Sequence, residues 1–434
     1  MKYLTHFKFN FWTRGMALTA LFILAGSESV AIKAITPNAS LDPSKCYGQN
    51  PMEETISPVS GLRHPGVLQS PVMLAALKKS LDVKDPERME LWEQMITSGR
   101  GRIDKEQEWS PGIILHRKDM DCAKWAAPGM FRYTLDWIMN GNAESEKNAI
   151  QMFNTWADCE QFEIDHADGL GHHRLVGGIT FGSIPYAAEL LMSSGTSWPV
   201  EEQEKFKDTW RKVFLPVITE RRPYRFNGNW DLACSWSILA SAVLLDDKEL
   251  FDSEIDRLKN GHTNAQFSRY LLPSGQCQET GRDLIHAEMG LYFASLCAQV
   301  AWNQGIDLFE GEDYSLGRCY EYLALFHLGE DRVPYEIYND AIGPSSRHQS
   351  PEPPTEFRGE YRGAIYEMIY HHYRDYRNTK LYNVKKVLER KTRPEGPSPN
   401  VQTYGTLCFW NLNLKADARK RGAGRANVRV LLDR

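Results

Sequence analysis

Residues 131–159, FRYTLDWIMNGNAESEKNAIQMFNTWADC, decide the fold. Apolar and aromatic side chains recur at helical spacing on both sides of Asn140-Gly141-Asn142, a short turn signal. The segment predicts two antiparallel helices, 121–140 and 143–157. The same pattern continues in both directions. Pro71-Val72-Met73-Leu74 opens a helix with proline in its first turn. Further helices are expected at 86–98, 179–194, 199–218, 230–245, 247–259, 279–304, 316–327 and 359–377, with joints such as Ser193-Ser194-Gly195. Only residues 403–410 read as β-rich. A long succession of helix pairs without a fixed repeat predicts an all-α fold, an incomplete (α/α) toroid or barrel of antiparallel helix pairs, over residues 71–390. Residues 32–70, rich in Pro, Ser, Gly and Asn, read as an extended lead-in. Residues 391–434 read as a loop, a short β-like segment and a basic tail.

The chain has 434 residues, 42% hydrophobic and 11% aromatic, enough for a large core. A formal net charge of -5 lacks the basic field of a nucleic-acid binder, so no such partner is expected. Lys2, Lys8 and Arg14 precede the apolar run MALTALFILAG at 16–26, and Ser29-Val30-Ala31 offers a small-residue cleavage site. Residues 1–31 thus read as a signal peptide, which predicts a secreted or periplasmic protein. No membrane span is expected after its removal, because no later segment reaches ~18 uninterrupted apolar residues. Asn38-Ala39-Ser40 is a glycosylation sequon. Eight cysteines, at 46, 122, 159, 234, 277, 297, 319 and 408, contain no Cys-x-x-Cys pair, so metal-site spacing is absent. In a secreted chain one or more disulfides are expected, with the pairing open.

The chemistry concentrates in Gln278-Glu279-Thr280-Gly281-Arg282-Asp283-Leu284-Ile285-His286-Ala287-Glu288-Met289-Gly290-Leu291. If this run is helical, Glu279, Arg282, Asp283 and His286 stand at i, i+3, i+4 and i+7 and share one face. A solvated face of internal ion pairs is the plain alternative. The preceding turn signal Leu272-Pro273-Ser274-Gly275 and the apolar flanks favour a functional cluster, since buried charge is costly unless used. Gly171-His172-His173-Arg174 forms a second basic cluster, read as a Gly-rich loop. Asp165, His166 and Asp168 before it have irregular spacing for a metal, and no metal is expected. Arg221, Arg222 and Arg225 alternate with Tyr224 and Phe226 just before Asn227-Gly228-Asn229-Trp230-Asp231.

Taken in order, these blocks resemble the alginate lyase family of helical-toroid polysaccharide lyases. The resemblance is carried by Met130-Phe131-Arg132-Tyr133 to Trp137, Asn154-Thr155-Trp156, Arg174-Leu175-Val176-Gly177-Gly178 and Ala187-Ala188-Glu189-Leu190-Leu191. It continues through Asn227 to Asp231, Gln278 to Leu291, Ala301-Trp302-Asn303-Gln304-Gly305 and Glu321-Tyr322-Leu323-Ala324, and spans about residues 70 to 345. It implies a lyase acting on an acidic polysaccharide, alginate or a 4-linked glucuronan, by β-elimination, with no cofactor.

Such a reaction removes the C5 proton beside a carboxylate and breaks the C4–O bond. The carboxylate must be neutralised first, then a base and an acid supplied. Asn229, at a helix start, is the candidate neutralising group, and a plain N-cap is its alternative. His286 is the candidate acid/base, against a role as a core histidine. Arg282 is a carboxylate clamp or an ion-pair partner. His173 is a candidate second proton-handling group, and a His286/His173 pair accommodates either C5 stereochemistry. Glu279 and Asp283 orient Arg282 and His286. Trp230 is a sugar platform or core residue. His172, Arg174, Arg225 and Tyr335 complete the candidate substrate contacts. Related lyases commonly use a tyrosine for proton transfer, but none follows Arg282 before Tyr292; Tyr292, Tyr335 and Tyr338 stay open. Two other classes remain: a glycoside hydrolase using two of Asp231, Glu279 and Asp283, and a non-catalytic carbohydrate-binding protein.

Overall fold

A computed structural model describes residues 52–410, with breaks at 165–170, 221, 223–224, 312, 314, 344–348, 361–365, 378 and 398–403, and the backbone of 429–430. The expected signal segment, the sequon, Cys46 and most of the basic tail lie outside the described residues. The α-helices of five residues or more are α1 (Pro71–Asp82), α2 (Pro86–Ile96), α3 (Cys122–Asn140), α4 (Ala143–Ala157), α5 (His172–Thr180), α6 (Ser183–Met192), α7 (Val200–Thr209), α8 (Leu215–Thr219), α9 (Gly228–Leu244), α10 (Lys248–Asn260), α11 (Leu284–Asn303), α12 (Ser315–His327), α13 (Tyr366–His371), α14 (Tyr382–Val387) and α15 (Gly405–Phe409). Two-stranded ribbons pair β1 (Thr55–Ile56) with β2 (Arg63–His64) antiparallel, and β3 (Ile114–His116) with β4 (Gln161–Glu163) parallel.

The α3–α4 joint shows how the sequence makes a helix pair. Gly141 takes the left-handed conformation at φ 65° and ends α3. Asn142 then caps α4 by accepting from the Glu144 and Ser145 N–H groups. Buried Asp136 gathers the turn, accepting from Asn140, Asn142 and Ser145. Elsewhere the expected boundaries move for local reasons. The 199–218 helix is α7 and α8 joined by a π-helical turn, Trp210–Phe214, where Pro216 has no N–H to keep the α register. The 179–194 helix starts earlier and is split into α5 and α6 at Phe181–Gly182. Gly171, at φ 75°, launches α5, so the basic cluster expected on a loop opens a helix instead.

Two further expectations are corrected. Residues 404–410, of the stretch expected to be β-rich, are mainly helical: α15 packs on α1, α2 and α13, so the last described helix lies against the first two. Buried Arg88 of α2 fastens this contact, donating to the Thr406 and Trp410 carbonyls. The seven described cysteines are buried and carry free thiols, so no disulfide forms among the described residues. Each fills the interior as a small hydrophobe.

α9 is the centre of the fold. All its residues but Trp230 are buried, and it packs on α5, α6, α10 and α11. Close approach depends on missing side chains. A Cβ on Gly178 would lie 2.8 Å from the Cys234 backbone nitrogen, and one on Gly182 would overlap the Trp236 indole. Along α5 and α9 the contacts advance together: His172 beside Trp230, Gly178 beside Cys234, Gly182 beside Trp236. Along α9 and α11, Asn229 meets Met289 and Leu232 meets Cys297. The three helices are therefore parallel, and their N-termini gather at one end. α11 and the α5–α6 run are apolar enough to cross a membrane, but they are 89% and 83% buried inside the protein and serve as core helices.

One charge enters α9, at Asp231. Arg222 Nε donates to its carboxylate at 2.6 Å, and Arg257 Nη2 reaches both oxygens at 2.9 and 3.0 Å. Arg222 also grips Glu254 at 2.8 and 2.9 Å and the Ser235 hydroxyl at 2.8 Å. Two cations thus balance two carboxylates out of water. Breaking such a buried arrangement costs about 3–5 kcal/mol. Arg222→Met is expected to lower unfolding stability by about that amount in a urea titration.

The lead-in is fastened to the same core. His64 lies with Nδ1 3.2 Å from Glu189 and Nε2 3.4 Å from Asp246, and Ser57 and Ser60 also bond Asp246. Burial pulls the imidazole pKa down, but Glu189 and then Asp246 outweigh it, and the net value lies above 6.5. Its stabilisation is therefore full below the unfolded value and lost as pH rises through the folded one. The stability difference between wild type and His64→Gln, from thermal unfolding, is expected to shrink between pH 6 and pH 8.

Candidate active site

The run 278–286 is not one helix. Residues 278–282 form turns, and α11 begins at Leu284 because Asp283 is its N-cap. Asp283 has extended backbone (φ -174°), and its Oδ1 accepts from the His286 N–H at 2.8 Å. The shared helical face is thus replaced by a cap, yet the four side chains still meet. Asp283 Oδ2 lies 2.6 Å from His286 Nδ1. Arg282 bridges loosely between Glu279 at 3.5 Å and Asp283 at 3.8 Å.

The two acids are driven apart electrostatically. Burial raises Glu279 most, and Arg282 and His286 only partly reverse it, so its pKa stays above the usual 4.5. Burial also raises Asp283, but the His286 hydrogen bond and charge, with Arg282, bring it below 3.8. Asp283 is the ionised acid that holds His286, with Nδ1 committed to it.

The start of α9 is capped by side chains of this turn. Gln278 Oε1 accepts from the Gly228 N–H at 3.2 Å, and Glu279 accepts from the Asn229 N–H. Two backbone donors at this helix start thus face side chains of the turn. The Asn229 side chain is 0% exposed; its Oδ1 has no partner among the described residues, and its Nδ2 meets only Met289 Sδ at 4.0 Å. A buried amide left without a partner costs about 1–3 kcal/mol. Tyr270, absent from the sequence-based candidates, lies directly beneath. Its buried ring passes between α9 and α11 where Gly228 and Gly290 leave room, its hydroxyl reaching toward Cys277. Its only sequence signal was that pair of glycines.

Half-buried Trp230 sits beside Asn229, edge-on to His172 with centroids 5.7 Å apart and to Phe226 at 5.8 Å. His173 is buried behind His172 in the first turn of α5. Arg174 donates from Nε and Nη2 to the Glu220 carbonyl, at 3.0 and 2.8 Å, and ties α5 to the end of α8. Exposed Arg225 stands at the rim against Gly343. Asp165, His166, Asp168, Arg221 and Tyr224 lie outside the described residues. Asp231 is enclosed in its ion network, Glu279 is buried, and Asp283 is bound to His286.

Two described stretches, 333–343 and 349–351, lie against the turn and together are called the strap, held by amides. Buried Asn264 donates to the Phe226 and Ile342 carbonyls, and its Oδ1 accepts from Ile342 N–H and Gln278 Nε2. Gln276 exchanges two hydrogen bonds with the Glu336 backbone. Gln349 donates to the Gln278 carbonyl, and Ser350 N–H donates to the Gly281 carbonyl. Tyr335 donates to the Ser350 carbonyl at 2.6 Å, close over Gly281, and burial pushes its phenol up. Tyr338 donates to the Arg269 carbonyl and is pushed up to about 12, while Tyr292 is buried in the core. Of the three open tyrosines, Tyr335 lies over Gly281 and Tyr338 beside Gln278, both against the turn, while Tyr292 is enclosed in the core.

Parallel inner helices of a toroid, with an acid-held histidine, an arginine and an aromatic platform at their starts, define the class of helical polysaccharide lyases. The chain matches the alginate lyase family over residues 78–333, more than half its length, and belongs to that family. It is a polysaccharide lyase. Alginate lyase A1-III in complex with a tetrasaccharide aligns with a TM-score of 0.56 at 13% identity, covering 82% of this chain and 98% of that one. Alginate lyase A1-III from Sphingomonas species A1 gives 0.50 at 12% identity, covering 67% and 77%. At such identities the likeness establishes the toroid fold. A search of curated protein sequences finds no match.

Gly290→Ala places a methyl group onto the Tyr270 hydroxyl and near Asn229 Cβ. It is expected to cost about 1–3 kcal/mol in denaturant unfolding, as overpacked cores do. Activity at saturating substrate should fall with it, because Asn229 shifts.

Proposed function

We propose that the chain cleaves a 4-linked uronan, alginate or a glucuronan, by β-elimination at the starts of α5, α9 and α11. The observation that carries this reading is the Asp283–His286 pair, with Nδ1 held at 2.6 Å, beside Arg282. Arg282 and the Asn229 amide neutralise the uronate carboxylate, which makes the C5 proton removable. His286 Nε2 takes that proton. The electron pair of the C5–H bond forms the C4=C5 double bond, and the C4–O bond breaks with its pair on the leaving oxygen. In mannuronate and glucuronate the proton and leaving oxygen lie on one side, so His286 returns the proton itself. In guluronate they lie on opposite sides, and a second group, Tyr335 or His173, must donate it.

Trp230 and His172 form the sugar platform, with Arg225 at the rim. The tetrasaccharide complex of a structural relative supports an oligosaccharide-length cleft. A secreted or periplasmic location is part of the proposal, since a polymer substrate does not cross a membrane, and the basic-then-apolar sequence of residues 1–31 supports it.

The test is absorbance at the ultraviolet edge, where the conjugated C4=C5 bond absorbs. The mature chain is mixed in parallel with polymannuronate, polyguluronate and 4-linked glucuronan. A rise on one polymer is expected, reduced about 10²–10⁴-fold in His286→Ala. New reducing ends without absorbance would replace elimination by hydrolysis, and binding without cleavage would remove the enzyme reading.

A further inference from the structure

Outside the groups considered so far, one cation stands against the platform. Arg117 opens a short helical turn, Arg117–Asp119, directly after β3. Its place is set by the fold: β3 pairs with β4 through Leu115 and Phe162, Leu115 is buried, and the Glu160 N–H bonds the Ile113 carbonyl. Arg117 Nη2 thereby comes within 2.6 Å of His172 Nδ1. The two residues are 55 positions apart, and only folding brings them together.

We infer that Arg117 is a positioning residue of the active site, which fixes the tautomer of His172 so that its Nε2–H is the donor offered to a uronan lying on Trp230. A guanidinium carries donors and no acceptor, and it stays charged throughout the working pH range. At 2.6 Å, Nδ1 must therefore accept, which places the ring proton on Nε2. An imidazolium would set N–H against N–H and one cation against another. The histidine beside Trp230 is thus held at Nδ1 by a guanidinium, whereas His286 is held there by a carboxylate. Opposite neighbours give the two imidazoles separate tasks: His172 donates a hydrogen bond, and His286 moves the proton. The His172 ring is also edge-on to Trp230, so the arginine sets its angle against the sugar-binding face as well. The inference rests on the lyase reading for its substrate class, not for the contact itself.

The experiment uses the full mature chain with ¹⁵N-labelled histidine. Nitrogen shifts of the His172 ring, assigned by difference from His172→Gln, report which nitrogen carries the proton. Wild type is expected to show the Nε2–H form alone. Arg117→Met is expected to mix the tautomers and to raise KM for a uronan tetrasaccharide about tenfold, with a smaller change in kcat. Arg117→Lys, which keeps a donor-only cation, should recover most of both. An unchanged His172 tautomer in Arg117→Met, with thermal unfolding as in wild type, would overturn the inference, as would an unchanged KM. If Arg117→Met fails to fold, the wild-type and Arg117→Lys spectra still decide it, because an Nδ1–H form in either contradicts the contact. Wild type giving no unsaturated product on any uronan would refute the lyase reading separately, leaving the tautomer result to stand.

Discussion

The rest of the structure depends on burying α9 on every side. A helix surrounded by protein needs neighbours at close range, and the glycines at 178 and 182 let the packing reach backbone contact. It also must carry no uncompensated charge. Asp231 is admitted only because Arg222 and Arg257 neutralise it, and Arg222 is in turn balanced by Glu254. With α9 so fixed, α5 and α11 lie parallel to it. Three helix starts then converge, their backbone dipoles favouring negative charge at the same end.

What the protein does with that end is an exercise in separating like groups. Glu279 and Asp283 are four residues apart on one turn, yet one is pushed toward its neutral form and the other toward its anion. The difference lies in partners: Asp283 has an imidazole at hydrogen-bond distance, while Glu279 is enclosed against the start of α9. A β-elimination on a polyanion benefits from this arrangement. The substrate already brings carboxylates, and a second ionised acid at the platform would oppose them.

The described residues of the strap, 333–343 and 349–351, form no α-helix or strand, so their backbone groups need partners from elsewhere. Asn264, Gln276, Gln278 and Gln349 supply them, each bonded to a main-chain group or to another amide. Neutral amides do this without adding charge beside the Arg282 cluster. Gln278 serves twice, capping α9 and joining Asn264, and so couples the strap to the helix start that carries Asn229 and Trp230.

Helix periodicity made α3 and α4 legible to within one residue, because Gly141 and Asn142 are local signals whose effect does not depend on distant packing. The charged run at 279–286 was legible as a cluster but not in its geometry: periodicity implied a helix, while the Asp283 cap bond stopped it at Leu284. Residues 403–410 read as strand by composition, and 404–410 fold mainly as helix because Arg88 and α1, α2 and α13 receive them. Tyr270 and Arg117 were invisible, since their roles come from contacts to residues far along the chain. Amino-acid order by itself determined the helices, their pairing and the residue types available for acid–base work, all set by nearest-neighbour propensity and hydrophobic period. Only the tertiary structure decided which of those residues meet, which are enclosed and which tautomer or charge each holds, because hydrogen bonding and desolvation depend on what packs alongside.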